Sequence, residues 1–274
     1  MLRFFRIALL CLVAALAPAW AALQTDIVYG KVADADLKLD LAQPDGPGPF
    51  PTVICIHGGA WMSGSKSGWT PVMLLLNQNG YAAAAVDYRF APAHQYPAQI
   101  DDVRLAVRYL RAHAAELKID PTRLAVAGDS AGGHLALMVG LQNPEEGVRG
   151  IIDLYGPSDM TRWQATPDGE KALGMDSGKL LEMVFGTQDR TSTALKNASP
   201  LFFVASGRPP VLTLHGDSDP IVKIEQSEWL HDALRKAGVP EKLVVVKGAS
   251  HGFQGADLQI AIGAVLEFLS VHVK

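Results

Sequence analysis

Leu124-Ala125-Val126-Ala127-Gly128-Asp129-Ser130-Ala131-Gly132-Gly133-His134-Leu135-Ala136-Leu137 is a short apolar run, a glycine-bounded serine and a helical run in immediate succession. The apolar run suits a strand buried on both faces. Gly128-Asp129-Ser130-Ala131-Gly132 then fits a sharp strand-to-helix turn that lifts a serine oxygen above the edge of a sheet. Gly128 and Gly132 leave room where a side chain would strike the neighbouring strand or helix. The helix that starts after Ser130 aims its first amides at the same point, which favours negative charge there.

Working outward, more apolar runs alternate with helical patterns. Thr52–Ile56, Tyr81–Val86, Gly150–Leu154, Val211–Leu214 and Lys242–Val246 read as strands. Ile100, Val103, Val107, Leu110 and Leu117 recur at helical spacing and predict a helix over Ala98–Leu117. Leu135–Gly140, Glu225–Ala237 and Asp257–Val271 read the same way. Such alternation predicts an α/β chain with a mostly parallel sheet covered on both faces. Asp26–Lys31 and Leu37–Leu41 add two short strands, and the apolar–polar alternation of the second suits an antiparallel edge. Residues 157–199 break the alternation. The stretch is too long for a simple connection and is expected to form a cap over the carboxyl edge, with a short helix over Ser177–Val184.

The bulk numbers narrow the function classes. Of 274 residues, 49% are hydrophobic and 19% charged, which supports a large core and excludes a disordered chain. The net charge of −4 offers no basic stripe for nucleic acid. Residues 1–21 differ in kind: Arg3 and Arg6, an apolar run over Ile7–Leu16, then Ala19 and Ala21. That order is expected of a secretory signal peptide, the alternative being an uncleaved anchor. Its apolar run is shorter than the roughly 20 residues of a membrane-spanning helix. The chain is therefore expected to be secreted or periplasmic, with no stable membrane insertion after cleavage. Residues 22–274 are expected to form a single domain. Its one cysteine, Cys55, lies in the Thr52–Ile56 run and reads as a buried thiol. No His, Cys or acidic spacing suggests a metal site.

A serine hydroxyl needs a base, and the base needs an orienting carboxylate. Two later strand ends carry them, in Leu214-His215-Gly216-Asp217-Ser218-Asp219-Pro220 and in Ala249-Ser250-His251-Gly252-Phe253. His251 is the candidate base. Asp219 and Asp217 both qualify as the acid, and triad logic alone does not choose between them. The chain order of serine, aspartate, histidine is the one that accompanies a serine turn of this type. His57-Gly58-Gly59-Ala60-Trp61 follows the first buried strand. Acyl transfer generates an oxyanion that needs fixed backbone donors. The amides of Gly59, Ala60 and Ala131 are the candidates, with Gly58 the nearest competitor. His57, Gly58 and Trp61 are candidate substrate-binding residues, and Trp61 and Trp69 form either an aromatic wall or the edge of the core. His134 is expected to pack beneath the serine turn. His113, His231 and His272 are expected on solvated helix faces.

Taken together, His57-Gly58-Gly59-Ala60-Trp61, Asp87-Tyr88-Arg89 with Tyr96-Pro97-Ala98, Gly128-Asp129-Ser130-Ala131-Gly132-Gly133, His215-Gly216-Asp217-Ser218-Asp219-Pro220 and Ser250-His251-Gly252 resemble the bacterial feruloyl-esterase-like (BD-FAE) and hormone-sensitive-lipase-like carboxylesterases of the α/β-hydrolase superfamily. The resemblance implies the α/β-hydrolase fold and cofactor-free hydrolysis of esters with acetyl, feruloyl or other short acyl groups, free or polysaccharide-linked. It places the acid at Asp219. Ala60 departs from the third glycine of many lipase-like members, and the short cap after residue 157 favours the feruloyl- and acetyl-esterase branch. A peptidase or amidase would use the same triad. A binding protein retaining the fold would be expected to have lost a triad member, and none is missing.

Overall fold

The computed structural model describes residues 22–32, 35–142 and 146–274. The segment read as a signal peptide lies outside these. Eight strands form one sheet: β1 (Ala22–Val32), β2 (Ala35–Gln43), β3 (Phe50–Ile56), β4 (Ala82–Val86), β5 (Ile119–Asp129), β6 (Gly150–Leu154), β7 (Val211–Gly216) and β8 (Glu241–Val246). Their spatial order is β1-β2-β4-β3-β5-β6-β7-β8. β1 pairs antiparallel with β2 and β2 antiparallel with β4, whereas every pair from β4 to β8 is parallel. The expected antiparallel edge is thus present.

Successive residues of the parallel strands point to opposite faces, and both faces are covered. Ile54, Ile56, Val126 and Ile151 pack in one core with Ile100, Val103 and Val107 of α2 (Ala98–Ala112), Leu135 and Val139 of α3 (Ala131–Gln142), and Leu230 and Leu234 of the helix over Glu225–Lys236. Val53, Cys55, Ala125, Ala127 and Ile152 form a second core with Met73 and Leu76 of α1 (Thr70–Gln78) and with Ala261, Phe268 and Leu269 of the C-terminal helix. Continuous apolar runs such as Val53–Ile56 are what a strand between two such cores requires. Ala82 to Ala85 are wholly buried, their small side chains lying beneath α1 and α2. Cys55 is buried, with burial pushing its thiol up and away from reactivity.

The 157–199 stretch folds over the carboxyl edge as α4 (Pro167–Leu173), α5 (Ser177–Phe185) and α6 (Thr193–Asn197). Thr166, Asp176 and Ser192 each cap the helix that follows by accepting a backbone N–H. After β7 comes α7 (Glu225–Lys236), and after β8 comes α8 (Gly255–His272). Two expectations need correction. α2 stops at Ala112 rather than Leu117, since the chain turns through Lys118 at φ 48 to enter β5. His231 is not on a solvated face: it is buried and pairs through Nδ1 with Glu241 of β8.

Candidate active site

The carboxyl ends of β3, β5, β6, β7 and β8 converge beneath the insertion. Ser130 sits between β5 and α3 with φ 53, in the left-handed region. Its amide donates to Leu154 O at 2.8 Å and its carbonyl accepts from the His134 amide at 3.0 Å, so both neighbours hold the turn. The two glycines are obligatory for steric reasons. A Cβ on Gly128 would lie 2.2 Å from Gly132 O, and one on Gly132 would lie 2.0 Å from Ile56 O.

His251 follows β8 and bridges two partners. Its Nδ1 lies 2.6 Å from Asp219 Oδ2, and its Nε2 lies 2.9 Å from Ser130 Oγ. A carboxylate only accepts, so Nδ1 carries the proton and Nε2 accepts from the serine hydroxyl. Asp219 is fixed from the other side. Its Oδ1 accepts from the Ile221 and Val222 amides at 2.8 and 2.9 Å. His215, buried at the end of β7, stands 3.4 Å from Oδ2. Burial raises the Asp219 carboxyl, but the bonds from His215 and His251 and the positive potential of His251 outweigh it, holding the carboxyl well below its ordinary range. Asp217 has different partners: its Oδ1 accepts from the Gly248 amide at 2.6 Å, tying the β7 turn to the β8 turn. The structure thus brings Ser130, His251 and Asp219 into one chain of hydrogen bonds and leaves Asp217 outside it.

Gly59, Ala60 and Trp61 have φ values of 112, 53 and 60, an unusual succession. The turn is closed by the Met62 and Ser63 amides, which both donate to Gly59 O at 3.0 Å. A Cβ on Gly59 would lie 2.1 Å from Ser63 O. The Gly58 amide donates to Asp129 Oδ1 at 3.0 Å and is therefore committed. Among the described residues the amides of Gly59, Ala60 and Ala131 donate to no protein acceptor. Gly59, Ala60, Ser130 and His251 line one cavity of about 420 Å³.

The candidate binding residues separate. Trp61 lines that cavity, with its indole N–H donating to His134 Nδ1 at 3.2 Å. His134 Nε2 lies 2.7 Å from Ala198 O and donates to it, which ties the serine helix to the end of the insertion. His57 and Gly58 do not line the cavity. The His57 ring stacks on Tyr88 at 4.4 Å, and the Tyr88 hydroxyl donates to His57 O at 2.9 Å. Trp69 donates its indole N–H to Asp129 Oδ1 at 3.0 Å, below the turn. Arg89 meets the buried Asp102 through Nη2 at 2.7 Å and Nε at 2.9 Å.

Tyr155 escaped the sequence reading. It follows β6 with φ 47 and meets the His251 ring edge-on at 4.8 Å and Phe253 at 5.1 Å. Its place at a strand end beside the serine strand was the available signal. No cluster of His, Cys, Asp and Glu among the described residues has the arrangement of a metal site.

Comparison with known proteins bears on the family and the fold. The family model described as BD-FAE matches residues 39–234. Esterase LipC of Mycobacterium tuberculosis is 32% identical over 226 residues, covering 76% of this chain and 54% of its own length. The chain spans about half the length of the curated relatives it matches. Among solved structures, Thermogutta terrifontis esterase 2 phosphonylated by sarin superposes with a TM-score of 0.78 at 27% identity, covering 93% of this chain and 95% of that one. A truncated carbohydrate esterase from gut microbiota gives 0.79 at 24% identity, over 93% and 98% of the two chains. The fold is the α/β-hydrolase fold.

Proposed function

The chain belongs to the BD-FAE family, and from that premise we propose that it hydrolyses carboxylic esters by acyl transfer through Ser130. The observation that carries the reading is His251, which spans Ser130 Oγ and Asp219 Oδ2 with one ring. Ser130 Oγ attacks the ester carbonyl as its proton passes to His251 Nε2. Asp219 holds the ring in the required tautomer and stabilises the imidazolium. The carbonyl oxygen becomes an oxyanion, received by the Gly59, Ala60 and Ala131 amides. One such donor is worth a factor of about 10² to 10³ in rate. His251 then gives its proton to the departing alcohol, and an acyl-serine remains. A water molecule surrenders a proton to the same Nε2 and attacks the acyl carbonyl. Collapse releases the acid and restores Ser130.

The substrate reading follows from the cavity. Trp61, Trp163, Leu173 and Leu180 face the space above Ser130. Apolar and aromatic walls of this kind suit an ester with an acetyl, feruloyl or other short acyl group, presented free or on a polysaccharide. Trp163, Leu173 and Leu180 all come from the 157–199 insertion, which acts as the substrate-selecting cap of the single domain. We read the protein as exported, secreted or periplasmic, on the order of charges and apolar residues in residues 1–21.

Ser130→Ala tests the reading. It removes the attacking oxygen and leaves the cavity intact, so p-nitrophenyl acetate turnover is lost, as is labelling by a fluorophosphonate probe. Turnover at the wild-type rate in that variant sinks the assignment.

A further inference from the structure

β7 ends on a residue that its core does not ask for. Val211, Leu212 and Leu214 are wholly buried and apolar, and His215, next in line, is buried just as completely. A buried imidazole is costly unless its nitrogens are bonded, and a strand covered on both faces would take an apolar side chain here. A local rule broken in this way marks a place with a use beyond folding.

Both nitrogens of His215 have specific partners. Nε2 lies 2.7 Å from Val222 O and 3.4 Å from Asp219 Oδ2. A carbonyl and a carboxylate only accept, so Nε2 carries the proton, donating to Val222 O while it faces Asp219. Nδ1 lies 2.6 Å from Ser227 Oγ of α7, and that hydroxyl donates to it. Val222 ties these contacts together. Its carbonyl accepts from His215, and its amide donates to Asp219 Oδ1 at 2.9 Å. The turn over residues 219–222 is thus anchored on His215. The carboxylate inside it meets two imidazoles on one oxygen, His215 at 3.4 Å and His251 at 2.6 Å.

We propose that His215 is a positioning residue: locked by Ser227, it fixes the orientation of Asp219 and the share of its negative charge that reaches His251, and so sets the pH below which His251 stops acting as a base. The inference rests on the reading of Ser130, His251 and Asp219 as the triad. An N–H directed at Oδ2 withdraws charge from that oxygen. With the N–H gone, the carboxylate stabilises the imidazolium form of His251 more strongly, and the inactive protonated ring persists to higher pH. The turn also loses its anchor at Val222 O, so the His251 ring is held less firmly against Ser130. The other ionisable groups that act on this pair are Asp153 of β6 on His215, Asp129 at the end of β5 on His251, and Tyr155 after β6 on Asp219.

Three variants test this. His215→Phe keeps the bulk of the ring and removes both nitrogens. His215→Gln restores an N–H near the place of Nε2. His231→Phe is the structural control, because His231 is also wholly buried but pairs with Glu241 instead of the triad. Urea unfolding checks that each is folded, and kcat and kcat/KM for p-nitrophenyl acetate are followed from pH 5 to 9. His215→Phe should lower kcat by about 10- to 100-fold at nearly unchanged KM, the scale of loss from a misplaced catalytic group. Its acid limb should move up by about half a unit or more. His215→Gln should recover most of the lost kcat and return the limb towards wild type, and His231→Phe should lose stability alone. A limb that stays in place or moves down in His215→Phe, or moves equally in His231→Phe, overturns the proposal. The pair of profiles is repeated on an Asp153→Asn background, where a shift that vanishes belongs to Asp153 and overturns it too. Should His215→Phe not fold, Ser227→Ala carries the test: it releases Nδ1, and the limb moves up by a smaller step or the proposal fails. NMR titration of the His251 ring in Ser130→Ala protein, with and without His215→Phe, is independent of turnover. If Ser130→Ala retains turnover while His251 titrates higher with His215→Phe, the catalytic reading falls and the positioning role stands. A His251 titration that His215→Phe leaves in place or lowers overturns the positioning role.

Discussion

His251 Nδ1 points at Asp219 Oδ2 from 2.6 Å, while Asp217, two residues earlier, ties down the Gly248 amide instead. The two carboxylates come from the same turn after β7 and do different work. Asp219→Asn offers an amide where the ring needs an acceptor and favours the wrong tautomer. A drop in kcat of about 10³ to 10⁴ is expected. Asp217→Ala removes one turn hydrogen bond, with an expected cost of about 1 kcal/mol in stability and a kcat within a few-fold of wild type. Steady-state kinetics and urea unfolding on both variants read the contrast. The assignment fails if Asp217→Ala is the variant that loses turnover.

The serine turn depends on close backbone approach. A Cβ on Gly132 collides with Ile56 O at 2.0 Å and His57 O at 2.7 Å, both backbone atoms of the strand that leads into the Gly58–Gly59 loop. Gly132→Ala must push β3 and α3 apart, with an expected cost of about 1–3 kcal/mol or more and weaker fluorophosphonate labelling as the amides move. Gly263, in the middle of α8, is the internal control. A Cβ there meets nothing within 4 Å. Gly263→Ala should stabilise by up to about 1 kcal/mol through helix propensity. Equal effects from the two substitutions would remove the steric argument.

The parts that were legible in the sequence share a physical cause. β3, β5, β6 and β7 lie between two cores and must be apolar at nearly every position, so Val53–Ile56 and Leu124–Ala127 stand out without context. The serine turn is equally visible, because only glycine fits at Gly128 and Gly132. α1 went unread: Thr70–Gln78 spans nine residues with a short apolar run and little contrast between faces. The choice between Asp217 and Asp219 needs the position of the β8 turn, which no local pattern encodes. Gly58 and Gly59 look alike as oxyanion donors until Asp129 is seen to occupy the Gly58 amide. Tyr155 is an ordinary aromatic until the fold lays it against His251. Long-range relationships of this kind decide the finer details of the site.

Two buried groups near the serine turn should give stability a measurable pH signature. His134 is wholly buried, and burial, opposed by its bond to Ala198 O, lowers it from 6.5 to about 4. Between these values the unfolded chain binds a proton that the folded one does not. Stability attached to His134 is therefore lost as pH falls from 6.5 to 4, by about 3 kcal/mol in total. Asp153, at the end of β6, is also wholly buried. Burial, opposed by the Gly156 amide, raises it from 3.8 to about 7. Here the folded chain binds the extra proton, so stability attached to Asp153 is lost as pH rises from 3.8 to 7, by about 4 kcal/mol. From pH 4 to 6.5 the two slopes oppose each other and their sum is nearly flat. Asp153→Asn mimics the protonated carboxyl, keeps an acceptor for Gly156, and leaves His134 uncompensated. Its stability should climb from pH 4 to 6.5 more steeply than wild type, by up to about 1.4 kcal/mol per pH unit. Its advantage over wild type should be greatest at pH 8, where the wild-type carboxylate is charged in the core. Urea unfolding at pH 4.5, 5.5, 6.5 and 8 measures both profiles, and parallel curves for the two proteins would refute the compensation.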